Sequence, residues 1–334
     1  MKSFTSPIGI AAALFAAFTW SLNFLAPMVV GSYSIYDLAA CRFLISSLLG
    51  FGIILINYSA CKGLTLNDWL TTCWLGFIGY VGYFLAIVVA AKYAGPVIAP
   101  AFLGLVPVVL AIAGNFRGGV PWRHLRAPLT MALIGLILVN FQELLNAHKS
   151  FSLSLTVGII AAIAAVALWT WFGLANQKAL AQRPSINSWV WTGMMMIGGG
   201  IQTVIVLPVP VNSGLFKADA VGLALNTYSV HHLYLPALLL AIVASMGGAW
   251  AWTIASKRLP ISLASQLLSM EMVFATGLGL LVSARWPTAY EAFGIILIVL
   301  GVVKVISVFN QASAIETEPR MLNVRGIPPE RSSL

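Results

Sequence analysis

"GIAAALFAAFTWSLNFLAP", residues 9–27, decides how this chain folds. It is apolar over enough length to enter a bilayer, yet it carries Trp20, Ser21, Asn23 and Pro27. A second stretch, "GIIAAIAAVALWTWFGLAN" (158–176), repeats it 149 residues later. In both, a Gly is followed eleven positions on by Trp and six further on by Ala. Two more pairs follow in the same order. "AKYAGPVIAPAFLGLVP" (91–107) matches "SKRLPISLASQLLSMEM" (256–272) at a shift of 165, and "IGLILV" (134–139) matches "FGIILI" (293–298). An ordered set of matches of this kind indicates an internal repeat.

Composition says what solvent the repeat lives in. Of 334 residues, 60% are hydrophobic and only 8% charged, and the mean hydropathy is +0.94. Soluble domains carry about 25% charged residues. So much apolar surface cannot be hidden inside one chain in water, and the bilayer is the expected solvent. Spans need roughly 20 apolar residues. Ten runs qualify: 8–30, 36–57, 69–91, 95–114, 125–141, 157–180, 186–207, 233–255, 260–283 and 286–309. The first is longer than the apolar core of a secretory signal, about 7–15 residues, and is read as a retained helix. The loop at 208–232, with its Pro, Asn and His231-His232, reads as surface.

Ten spans in two copies give five each. An odd number makes the second copy enter the membrane from the opposite side, so the halves are inverted. The expected fold is an all-α integral membrane protein: a first five-helix repeat (1–150), a second inverted repeat (151–309) and a polar, disordered cytoplasmic tail (310–334). With the N-terminus in the cytoplasm, thirteen Lys and Arg face inside and four outside, with Arg42 within a span. That asymmetry places both termini inside. The net charge of +9 is thereby a topology signal rather than a nucleic-acid footprint. Cys41, Cys61 and Cys73 show no metal or redox spacing.

Inverted-repeat transporters hold substrate near the midplane at the repeat interface. Trp20 lies 12 residues into the first run, roughly 18 Å at 1.5 Å per residue. Trp169 lies equally deep in the sixth run, approached from the other face. Trp prefers the membrane interface, so two midplane tryptophans suggest either a cavity wall or packing between helices. Helical neighbours recur at i+3, i+4 and i+7. Trp20, Asn23 and Pro27 therefore share a face, as do Trp169, Phe172 and Asn176. Asn23 needs a partner helix or water, because an unpaired amide in hydrocarbon costs several kcal/mol. Tyr80, Tyr83 and Ile87 share a face of the third span, and the 165 shift places Ser245, Gly248 and Trp252 opposite them in the eighth. Ser262, Gln266 and Ser269 form a polar stripe in the ninth. The candidate cavity residues are thus Trp20, Asn23, Tyr80, Tyr83, Trp169, Ser245, Trp252 and Gln266.

Glu271 is the one acid deep within a span, either a proton or ammonium site or a structural carboxyl. Regular helix geometry sets it about 200° round from Ser269, off the stripe. Arg42 can snorkel, pair with nearby Asp37 or act as a gate. Pro27, Pro100 and Pro107 are candidate bends, and "MMMIGGG" (194–200) is either a flexible point or a close-packing surface. His124, His148, His231 and His232 fall in loops. No nucleotide-binding P-loop, G-x-S-x-G or H-E-x-x-H occurs. No cofactor, metal, nucleic-acid partner or enzymatic activity is expected. A monomer handling a small molecule in the lipid bilayer is.

These features together resemble the EamA-type branch of the drug/metabolite transporter superfamily: the ten spans, the five-plus-five repeat, Trp-Ser-Leu-Asn followed by Pro in the first span, Arg42 in the second and Pro107 in the fourth. Within that branch the chain is similar to the aromatic amino-acid exporters. The resemblance covers roughly residues 5–309. It implies a bacterial inner-membrane exporter with a central cavity built mainly by helices 1, 3, 4, 6, 8 and 9. Where many members have proline in the ninth span, this chain has Glu271 beside Met272. Runner-up functions are permeases for another amino acid, a nucleotide sugar or a cationic drug. A buried Lys or Arg cluster that would favour phosphate-bearing substrates is not seen.

Overall fold

The computed structural model describes residues 6–94, 102–116, 120–141, 153–212, 214, 216–217 and 225–324. Most of those residues are helical, with no strand among them. Among the described residues, nine helical stretches are long and apolar enough to cross a membrane: α1 (Pro7–Leu25), α2 (Ile35–Ile56), α3 (Leu66–Ala94), α5 (Trp122–Val139), α6 (Leu153–Ala181), α7 (Ser188–Val206), α8 (Thr227–Arg258), α9 (Ile261–Val282) and α10, whose span is Ala289–Ala312. A shorter apolar helix, α4 (Val106–Asn115), lies between α3 and α5. Leu48, Ile160, Ile205 and Val303 are each more than half exposed, as expected of faces solvated by lipid. This is a multi-pass membrane protein.

Helix starts are written in the sequence. Ser34 caps α2 and Thr65 caps α3, each in a reciprocal capping box with Asp37 or Asp68 at the third helical position. α8 starts at the Asn226 cap, whose side chain accepts from the Ser229 N–H. His231 and His232 therefore sit in helix, not in the expected loop, and His124 lies in the first turn of α5. His148 and Pro100 lie outside the described residues. The backbone of α10 continues as helix to Val324, so helix replaces the disordered tail expected from residue 310.

Packing among the helices has a symmetric pattern. α3 packs on α6 and α1 on α8, while α2 packs on α7, α4 on α9 and α5 on α10. Exchanging α1–α5 with α6–α10 in order leaves this set of pairings unchanged. Local irregularities fall at matching places too. α3 is π-helical over Phe77–Val81 and α8 over Ala241–Gly248; adding 165 to the first range gives 242–246, inside the second. The chain is non-helical at Gly104–Leu105 just before α4, and α9 breaks at Ser269, and 104 plus 165 is 269. Gly9 packs against Leu259 and Gly158 against Ala94, so closely that an added Cβ would fall within 3 Å of the neighbour; 94 plus 165 is 259.

The Gly-rich run in α7 is a packing surface. α7 runs unbroken, Gly193 meets Gly50, Gly198 meets Cys73 and Gly200 meets Ser47. Small residues let backbones approach and dispersion contacts accumulate.

Candidate functional site

A cavity of about 350 Å³ lies among α1, α2, α3, α4 and α9, with one lining residue each from α5 (Leu136), α6 (Trp169) and α8 (Leu240). It occupies the half of the bundle that holds the end of α1 and the start of α2. Trp20, Asn23, Tyr80, Tyr83 and Trp169 line it, as do Arg42, Pro107 and Glu271. The second helix was not among those expected to build a cavity, yet it contributes Arg42 and Phe43.

The floor is a connected set of rings. Trp20 meets Trp169 edge to face with centroids 5.3 Å apart. Trp169 in turn contacts Tyr83 and Phe172, each at 5.0 Å, and Tyr80 contacts Phe172 at 6.2 Å. Edge-to-face pairs contribute about 0.5–1.5 kcal/mol each beyond the area they bury. The Trp20 indole donates from Nε1 to the Ala244 carbonyl at 3.0 Å. Gly248 makes room for it: a Cβ there would lie 2.6 Å from Nε1.

α1 tightens into a 3₁₀ turn at Leu22–Leu25. The Ser21 hydroxyl donates to the Phe18 carbonyl at 2.6 Å and the Asn23 amide to the Trp20 carbonyl at 2.8 Å. Such back-bonding competes with regular helix. Pro27 has no N–H to give the Asn23 carbonyl, which takes Ala26 instead. This leaves the Asn23 side-chain oxygen facing α2, where it accepts from Arg42 Nη1. Arg42 Nε donates to the Ser245 hydroxyl at 2.7 Å. Arg42 does not snorkel or meet Asp37, whose carboxylate caps α2 through the Ser34 N–H at 2.7 Å.

Three expected cavity residues stand behind its wall. Ser245 is buried and reaches the site only through Arg42. Trp252 is buried behind Trp20 at 5.9 Å between ring centroids. Gln266 is buried in α9 with no partner for either amide atom. The depth and face arguments placed all three in the cavity wall, but Trp20 stands in front of Trp252 and Arg42 in front of Ser245. Asn176 is also internal, accepting from the Trp191 indole at 2.9 Å.

The break in α9 changes the expectation for Glu271. Ser269 N–H turns back to the Gln266 carbonyl at 3.1 Å, and Met272 N–H to Ser269 at 3.2 Å, both three-residue steps. Regular helix geometry fails there, and Ser269 and Glu271 both line the cavity. Pro107 sits in the first turn of α4, so the bend falls before it, at Gly104–Leu105.

The opposite end of the bundle is tied shut. Arg183, after α6, bonds Asp68 at the start of α3. Gln177 donates to the Leu259 carbonyl at 2.8 Å, and Lys257 to the Ile186 carbonyl. Sequence reasoning missed this layer. Its one signal was Asp68 in a capping box, which gives no hint of a partner 115 residues away. No cluster of three His, Cys, Asp or Glu side chains fit to hold a metal occurs among the described residues.

Comparison with known proteins agrees with this architecture. Residues 156–307 match the EamA-like transporter family, a family of transporters and not of enzymes. The chain is 26% identical over 307 residues to the inner membrane protein YtfF of Escherichia coli (strain K12), covering 88% of this chain and 94% of that one. A solved crystal structure superposes with a TM-score of 0.71 at 19% identity, over 90% of this chain and 97% of the other; this likeness shows the fold alone.

Proposed function

We propose that the chain is an inner-membrane exporter of aromatic amino acids and related small metabolites, working by alternating access. The observation that carries this is the cavity's aromatic floor. Its volume of about 350 Å³ falls in the range of small-molecule sites. Indole and phenol faces from Trp20, Tyr80, Tyr83 and Trp169 suit a planar ring. The resemblance to aromatic amino-acid exporters points the same way.

The ten helices are read as two inverted five-helix repeats. Support comes from the helix pairings, which survive exchange of the halves, and from the breaks and π-helical stretches that recur at a shift of 165. Rigid rocking of one half on the other would then alternate access to a fixed site. With both termini cytoplasmic, the tied end carrying Asp68 and Arg183 faces the cytoplasm and the cavity belongs to the outward side.

One observation favours a second reading. A cavity lined by the Glu271 carboxyl together with Trp20 and Trp169 suits a flat organic cation, as in a drug permease. A nucleotide sugar is a poorer match, because Arg42 is the one cation among the described lining residues.

A competition panel in vesicles containing the purified protein separates these readings. Phenylalanine and tryptophan should compete with labelled phenylalanine for efflux, while leucine, a uridine diphosphate sugar and the planar cation ethidium should not. Preferential competition by the cation would replace the first reading with the second.

A further inference from the structure

We propose that Arg42 and Glu271 bind the two ends of a zwitterion, Arg42 the α-carboxylate and Glu271 the α-ammonium of an amino acid whose ring lies on the Trp20–Trp169 floor. This rests on the export reading above and adds which groups recognise the backbone of the substrate.

Among the described residues these are the only charged side chains lining the cavity. They do not pair with each other: the ion pairs found are Arg183 with Asp68 and Arg285 with Glu291. Both are carried to one place. Asn23, in the 3₁₀ turn of α1, holds Arg42, and the stretch of α9 that opens with Met270 and Glu271 packs on that same turn. Arg42 is fixed on its Nε and Nη1 by Ser245 and Asn23, while Nη2 has no partner among the described residues and is not sealed. A guanidinium held this way keeps donors in a fixed fork suited to a carboxylate. The Glu271 carboxyl has no hydrogen-bond partner among the described residues, and its oxygens are likewise not sealed. A carboxylate accepts readily from the three donors of an ammonium. Opposite charges left unpaired in an apolar cavity are costly, and a zwitterion neutralises both at once, whereas an amine or acid neutralises one.

The test is calorimetric binding to purified protein of three ligands sharing one ring: phenylalanine, phenethylamine (no carboxylate) and 3-phenylpropionate (no ammonium). On the wild type each single-charge ligand should bind at least about tenfold more weakly than phenylalanine, the worth of one charged hydrogen-bonded contact. E271Q should weaken phenylalanine and phenethylamine by about tenfold and leave phenylpropionate unchanged. R42Q should weaken phenylalanine and phenylpropionate and leave phenethylamine unchanged. Equal losses for all three ligands, or single-charge ligands binding the wild type as tightly as phenylalanine, would overturn the inference while leaving aromatic export standing. The wild-type comparison needs no variant, so misfolding of R42Q cannot shelter the idea. Failure of the wild type to bind phenylalanine would overturn the export reading and this inference with it.

Discussion

Trp20 and Trp169 meet edge to face, ring centroids 5.3 Å apart and planes at 80°, although 149 residues separate them in the chain. They are the two tryptophans that the repeated stretches place in register. On the inverted-repeat reading proposed above, equivalent residues of the two halves touch only near the axis that relates them, and this pair marks that axis. The cavity forms above it because the helices around it are irregular there: α1 in its 3₁₀ turn, α3 in its π stretch and α9 at Ser269.

The same logic applies to Gly135 and Gly294, which the repeat also aligns. A Cβ on Gly135 would stand 2.7 Å from the Gly294 carbonyl oxygen, and one on Gly294 would stand 2.7 Å from that of Gly135. Here α5 and α10 cross backbone to backbone. Gly135→Ala and Gly294→Ala should each destabilise by about 1–3 kcal/mol, the usual cost of overpacking. Gly52 has nothing within 4 Å of an added Cβ, so Gly52→Ala should be neutral or stabilising by up to about 1 kcal/mol. Thermal unfolding in detergent reads all three. Equal effects at the three sites would contradict the crossing.

The tied end makes a prediction about conformation. Asp68 and Arg183 are partly shielded, with 13% and 18% of their side chains exposed, so their pairing is worth about 1 kcal/mol or somewhat more. Arg183→Gln should shift the population of states toward opening at this end by about fivefold or more. Labelling of a cysteine placed in the α8–α9 turn should accelerate correspondingly in vesicles. Labelling at the wild-type rate would mean the pair does not hold the end closed.

Much of this was legible in the sequence, and the exceptions have physical causes. Hydrophobic length gave nine of the ten expected spans among the described residues, the expected run 95–114 appearing there only as the short helix Val106–Asn115, and the Gly-Trp-Ala spacing put Trp20 and Trp169 in equivalent places. The pairing of Arg42 with Asp37 was expected because Asp37 is close in sequence. The Ser34 capping box occupies that carboxylate, and the true partners, Asn23 and Ser245, lie 19 and 203 residues away. Glu271 was set off the polar stripe by assuming 100° per residue, which the tightened turn at Ser269 invalidates. His231 and His232 were lost to a loop because apolar counting starts late. The Asn226 cap, with Ser229 three residues on, was the available signal for an earlier start.

Gln266 offers a test of motion. Both its amide atoms are buried without partners, an arrangement that costs about 1–3 kcal/mol. On the alternating-access proposal, an amide kept at such cost gains a partner when the halves rearrange. Gln266→Leu should therefore raise the melting temperature while lowering the efflux rate severalfold. A variant with raised stability and undiminished efflux would make Gln266 a packing residue.

The most direct measurement is efflux of labelled phenylalanine from vesicles carrying Trp169→Ala, compared with wild type at matched protein insertion and melting temperature. Loss of this ring removes contacts to Trp20, Tyr83 and Phe172 from the floor on which the substrate ring is placed. The account predicts a fall of about tenfold or more, as expected for two or more aromatic contacts. Efflux at the wild-type rate would contradict it.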